Sequence, residues 1–101
     1  MPLTDAPLYK LYLGNRAFEP FSSDQEARIL EIVQLRFPSF TMSAATGIFE
    51  GRRLPTLLIH IASHDRDAVV ATCQTLGQEL GQRWVGMSEG GAYTSIAVNR
   101  K

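Results

Sequence analysis

The apolar residues of this chain switch between the two-residue repeat of a strand and the three-to-four-residue repeat of a helix. The order of those switches constrains the fold more than any other feature. LYKLYL, Leu8 to Leu13, is rich in tyrosine and leucine and reads as a strand stopped by Gly14-Asn15. Pro20 delays the next element. Ser23 then stands three residues before Glu26, the spacing of a capping box. Ala27, Leu30, Val33 and Phe37 follow at helical spacing, with Ile29 and Ile32 widening the stripe, and Pro38 ends it. Phe40 to Gly51 alternates apolar and small polar residues as a half-buried strand does, and Gly47 suggests a bulge or kink within it. Glu50 to Arg53 reads as a turn and Thr56 to Ala62 as a strand. Ser63 or Asp65 caps a second helix whose buried face is Val69, Cys73, Leu76 and Leu80, with Gly81 as its stop. RWVGM and AYTSIAV close the chain as one strand or a hairpin.

The predicted order is β-α-β-β-α-β, the ferredoxin-like arrangement, in a single α+β domain over residues 1–101 with room for a C-terminal β-hairpin. Right-handed crossovers place both helices on one face of an antiparallel sheet, with the first and third strands inside.

Strand alternation then separates two faces. Tyr9, Leu11 and Leu13 share one side of the first strand, as do Leu57, Ile59 and Ile61 in the third and Thr94, Ile96 and Val98 in the last. Burying these mainly aliphatic sets drives folding, so they face the helices. The opposite side holds Lys10, Tyr12, Leu58, His60, Tyr93 and Ser95, with Thr41 and Ser43 from the second strand. Tyrosines among scattered polar groups suit an interface or a ligand-facing sheet, because the rings bury area while the hydroxyls keep partners.

Composition narrows the partners. Ten basic and ten acidic residues cancel to a net charge of zero, so any anion site must be local and nucleic acid is not an expected partner. The chain has one cysteine, Cys73, which rules out an internal disulfide and suits a cytoplasmic protein. MPLTDAPLYK lacks the pattern of a secretory signal, and no apolar run approaches the length of a membrane span.

GMSEG, Gly86 to Gly90, matches G-x-S-x-G, the turn that presents a serine nucleophile. Such an elbow needs a helix after the serine and, in the usual order, a histidine downstream. Here Ser88 precedes Glu89-Gly90-Gly91 and another strand pattern, and both histidines, His60 and His64, come earlier. Glycine pairs between strands supply the positive φ of a hairpin, so Ser88 reads as part of a hairpin and not as a nucleophile. His60 and His64 run from strand into loop, with no further ligands to complete a metal site. Asp65 and Asp67 suit a helix N-terminus. Cys73 falls on a buried stripe. Arg52 and Arg53, with Arg16 and Lys10, could form a small anion site. Nucleotide-binding glycine loops and the aromatic signature of a single-strand RNA platform are absent.

Y-K-L-Y-L-G-N, R-F-P-S-F-T, T-G-I-F-E-G and L-L-I-H-I, taken together, resemble small proteins of bacteria and their phages that carry Y-x-L-Y-x-G, F-x-x-x-T and G-x-W-x-G. Phe49 stands where those proteins often have tryptophan, and Leu54-Pro55 near where an acidic residue often precedes the strand. The resemblance implies the βαββαβ order and no particular activity, so no catalytic residue is carried over from it.

These readings lead to an expected oligomeric, non-enzymatic binding protein for a small, polar, anionic ligand, a nucleotide-like one among the candidates. Lys10, Tyr12, His60, Tyr93, Arg52 and Arg53 would hold that ligand. No catalytic residue, metal or cofactor is assigned. Sequestering a nucleotide signal of a host defence system is the version that the phage resemblance implies. One alternative is a small isomerase, cyclase or hydrolase using His60 or a tyrosine as general acid or base in an intersubunit pocket. Another is a protein-interaction module using a sheet edge. Self-association through the open face or an edge strand is expected, and no membrane partner.

Overall fold

A computed structural model describes residues 6–99. Within them the chain forms β1 (Leu8–Gly14), α1 (Ser23–Gln34), β2 (Thr41–Phe49), β3 (Arg52–Ala62), α2 (Arg66–Leu80), β4 (Trp84–Glu89) and β5 (Ala92–Ala97). The strands make one antiparallel sheet in the order β2-β3-β1-β4-β5. The protein is α+β, with β1 and β3 inside the sheet as expected. The fifth strand extends the sheet past β4, so the order is not strictly ferredoxin-like.

The helix ends follow from local chemistry. The capping box lies one residue earlier than expected: the Ser22 hydroxyl accepts from the Gln25 amide at 3.1 Å, and Gln25 accepts from the Ser22 amide at 2.8 Å. Asp65 caps α2 by accepting from the Ala68 amide, and Gly81 ends it at φ 67, a left-handed position that glycine adopts without strain. The buried stripe of α1 is Ile29, Ile32, Val33 and, beyond the helix, Phe37, whereas Ala27 is exposed. The expected Ala27–Leu30 line therefore sits at the margin of the stripe. α2 buries Val69, Cys73 and Leu76 as expected, and Leu80 only partly. Arg28 of α1 reaches Glu79 of α2 at 3.2 Å, which ties the helices side by side.

On the covered side the strands bury alternate residues as expected. Tyr9, Leu11, Leu13, Leu57, Ile59 and Ile61 join the helix residues in a single core, each fully buried side chain contributing about 1.5–3 kcal/mol. Ile96 and Val98 join them, whereas Thr94 is exposed near the hairpin end of β5. Gly77 is where α2 lies closest to Val98, and a Cβ there would overlap the valine side chain.

Two turns differ from each other only in part. Gly90 and Gly91, at φ 55 and 88, join β4 to β5, so Ser88 lies in a strand that leads into another strand. Glu50 and Gly51, at φ 50 and 78, join β2 to β3. The turn is therefore two residues long, and Arg52 and Arg53 belong to β3, opposite Phe49 and Ile48, rather than to the turn as expected. Register with β3 runs unbroken through Gly47, which pairs with Leu54, so there is no bulge. Pro55 is tolerated inside β3 because β1 pairs only from Thr56 onward. As a result the β2–β3 hairpin projects past β1 as a two-stranded arm.

Candidate functional site

The side of the sheet away from the helices is ordered in rows, because antiparallel register brings one residue from each strand side by side. Thr41, His60, Lys10, Ser88 and Tyr93 form one row across all five strands. Ser43, Leu58, Tyr12, Gly86 and Ser95 form the next. Beyond it Gly14 pairs with Thr56 and Trp84 with Ala97.

A cleft of about 670 Å³ opens at that last end of the face. Tyr12, Phe49, Trp84 and Tyr93 line it, with Ile48 and Leu54 adding apolar wall. Trp84 is 52% exposed, Tyr93 61% and Ile48 70%, so large apolar groups that folding could have covered are gathered around one hollow. Small residues make the hollow. Gly14, Gly47 and Gly86 all line it, and a Cβ on any of them would meet Leu54, Thr56 or Tyr93 respectively at less than van der Waals distance. The Tyr93 ring thus lies across Gly86, and its centroid is 5.5 Å from that of Tyr12 in an edge-on pair.

Polar groups are few and placed. Gln82 is 9% exposed and donates from Nε2 to the Gly14 carbonyl at 2.6 Å, which fixes the end of β1 at the cleft edge. The Thr56 hydroxyl donates to the Leu54 carbonyl at 2.8 Å. Arg16 enters from the loop after β1, with its guanidinium carbon 4.4 Å from the Phe49 ring centroid. None of the described lining residues is a carboxylate or an imidazole.

The expected site residues separate. Lys10, Tyr12, His60 and Tyr93 do share the open face, but only Tyr12 and Tyr93 line the cleft; Lys10 and His60 share the row of Tyr93, whose ring alone reaches back over Gly86 into the lining. Arg52 lies over the Phe18 ring at 3.7 Å. Arg53 points to the helix side, lining a smaller groove with Phe21, Glu26 and Pro55. Two neighbours on a strand point oppositely, so Arg52 and Arg53 cannot serve one anion together. Trp84, Gln82 and the three glycines were missed by sequence reasoning. Trp84 carried a signal, since it shares parity with Gly86 and opens a strand. The glycines carried none, because what they leave space for comes from other strands.

Elsewhere the ionisable groups are structural. Arg66 of α2 makes a two-toothed contact with Glu89 of β4 at 2.9 Å, and this hydrogen bonding holds the Glu89 carboxyl below its usual range. Burial pushes the Cys73 thiol up to about 12, so it stays protonated in the core. Among the described residues no helix is long and apolar enough to cross a membrane.

One comparison with known proteins finds a likeness of fold. No protein-family model matches the chain, and no curated protein matches it in sequence. A solved structure described as a phage SAM lyase in the apo state matches with a TM-score of 0.65, over 100% of this chain and 97% of that one, at 18% identity. Likeness at that identity speaks for the α+β fold.

Proposed function

We propose that this chain is a phage anti-defence protein that binds S-adenosylmethionine in the open-face cleft and cleaves it there. The observation that carries this reading is the aromatic lining of the cleft. Tyr12, Phe49, Trp84 and Tyr93 surround a space of about 670 Å³, within the range of small-molecule sites. A purine stacks on such rings, and a sulfonium is drawn to their negative faces as other soft cations are. End-to-end likeness to a phage SAM lyase supports the same ligand. In this reading β1 to β4 and the two helices are a ferredoxin-like unit, and β5 supplies the extra wall that carries Tyr93 and Ser95.

The chemistry asks little of the protein. A sulfonium leaves as a neutral thioether and needs no proton donor. The carboxylate of the methionine half attacks its own γ-carbon, the new C–O bond forms as the Cγ–S bond breaks, and the electron pair goes to sulfur. The products are 5′-methylthioadenosine and a homoserine lactone, with no water, metal or reductant consumed. What remains for the cleft is to fold the substrate into the attacking geometry, which alone can accelerate such a step by many orders of magnitude. This moves the expected role from holding a ligand toward cleaving one.

Sequestering without turnover is the second reading. It is favoured by the lining, whose rings suit holding an adenosyl ligand whether or not its carboxylate is brought onto its own γ-carbon. A second copy of the chain closing over the exposed Trp84 and Tyr93, or pairing along the free edges of β2 or β5, accompanies either reading.

Incubation with S-adenosylmethionine, followed by mass spectrometry and thermal unfolding, tests this directly. Methylthioadenosine appearing with turnover supports cleavage. A rise in Tm with the ligand recovered intact supports sequestering. No rise with S-adenosylmethionine, S-adenosylhomocysteine or methylthioadenosine at about millimolar levels overturns both and leaves the sheet-edge interaction module.

A further inference from the structure

We propose that Arg16 is the anion-binding residue of the cleft, with Arg52 adding positive charge behind it, and that on the reading above it receives the carboxylate of the amino-acid half. Some guanidinium groups of the chain are already engaged. Arg28 and Arg66 are satisfied by Glu79 and Glu89. Among the described residues Arg16 and Arg52 have no carboxylate within ion-pair distance and no hydrogen bond from the guanidinium.

Both are nevertheless fixed. Arg16 lies 4.4 Å over Phe49 and Arg52 lies 3.7 Å over Phe18. The exchange is reciprocal: the loop after β1 gives an arginine and takes one on Phe18, and the projecting arm gives Arg52 and takes Arg16 on Phe49. Stacking covers the flat face of a guanidinium and leaves its N–H edge free, which is the edge that meets a carboxylate with two parallel bonds. Phe49 and Arg52 are cross-strand partners, so the two stacks are neighbours.

The loop is held in the shape that delivers Arg16. The Asn15 amide donates to the Pro55 carbonyl at 2.8 Å, the Phe18 amide donates to the Asn15 carbonyl at 2.9 Å, and the Asn15 side chain accepts from the Ala17 amide at 3.0 Å. Phe18 sits at φ 59, a position costly for a residue with a side chain, and its ring is the one that Arg52 covers. Two uncompensated positive charges pinned beside an apolar cleft make an anion there favourable. Lys10, the lysine expected for this task, does not line the cleft, and Arg53 faces the other side of the arm.

Two ligands, one with and one without the amino-acid half, test the assignment by calorimetry. Arg16→Gln should weaken S-adenosylmethionine by about tenfold or more, the size of a lost hydrogen bond to a charged group. It should leave methylthioadenosine, which lacks that half, within about twofold. Arg52→Gln should give a smaller loss of the same selectivity, and Arg53→Gln none. Equal losses for both ligands, or no loss for either, overturn the assignment. If the wild type binds neither compound, the proposed function fails while Arg16 is still tested. In that case the ¹⁵Nε signal of Arg16 should shift saturably on titration with acetate or inorganic phosphate, and a linear, non-saturating response overturns the anion site.

Discussion

On the covered side of the sheet Leu11, Leu13, Ile59 and Ile61 are fully buried, while the residues between them, Lys10, Tyr12, Leu58 and His60, are only half-buried and look away from the helices. The same two strands thus carry two chemistries at alternate positions, since successive side chains leave a strand on opposite sides. The covered side supplies stability through contiguous aliphatic contact. The open side can keep aromatic rings, glycines and unpaired arginines because folding does not depend on covering them. A second contrast lies within the open side itself. One end is a polar row from Thr41 through His60 and Lys10 to Ser88, and the other is hollowed by glycines and walled by aromatic rings. A ligand site needs both removal of side chains and retention of exposed apolar ones, and only the second end has both.

The sharpest break of this contrast is a truncation on each side. Leu11→Ala or Ile59→Ala should cost about 2–5 kcal/mol in denaturant unfolding, because each leaves a cavity in a packed core. Tyr12→Ala, on the same strand as Leu11, should cost about 1 kcal/mol or less, the worth of its edge-on contact with Tyr93. Comparable losses at Leu11 and Tyr12 would mean that the open face is a second core.

Gly77→Ala should destabilise by about 1–3 kcal/mol through overpacking against Val98, although alanine is the better helix former by about 1 kcal/mol. A stabilised variant would show that α2 can draw back from Val98. Trp84→Ala should leave the unfolding midpoint almost unchanged. It should weaken an adenosyl ligand by about 1–3 kcal/mol, the value of one stacked base, as read by calorimetry. A loss of stability without loss of binding would place Trp84 on the structural side of the contrast.

Two milder tests concern ionisable groups on the covered side. Cys73 should resist thiol reagents in the folded protein and react at once in denaturant, since burial raises its thiol to about 12. Stability should also fall as pH rises above the ordinary thiol range, because the unfolded thiol ionises first. Arg66→Gln should lower Tm slightly at neutral pH. Glu89 has a depressed folded pKa, so the pair's contribution is present above the ordinary carboxylate range and disappears as pH falls through the folded value. The difference between wild type and variant should therefore shrink as acid protonates Glu89, and a difference that stays constant through that titration would assign Arg66 another partner.

Much of the architecture was legible before any coordinates. Val69, Cys73 and Leu76 fixed the face of α2, and Gly90-Gly91 settled the hairpin that removed Ser88 from candidacy as a nucleophile. The errors were of phase or of length. The α1 cap moved by one residue because Ser22 and Ser23 are equally able caps, and the partner of the real one is a glutamine, Gln25, rather than Glu26. The arginines were placed in a turn because Glu50-Gly51 and the residues after it are all polar, and only pairing with Phe49 and Ile48 shows where the strand resumes.

By itself the sequence determined the buried faces of β1, β3 and α2, where the helices begin and stop to within a few residues, and that one side of the sheet would stay open. Those properties depend on backbone geometry within a single element, so a few neighbouring residues suffice to set them. Only the tertiary structure decided where on that open side a cleft would form and which arginine would reach it. Gly14, Gly47 and Gly86 come from three strands, and Arg16, on the loop after β1, is placed by the Phe49 ring of β2. A hollow is the sum of side chains missing from several elements in register, and no local pattern records that sum.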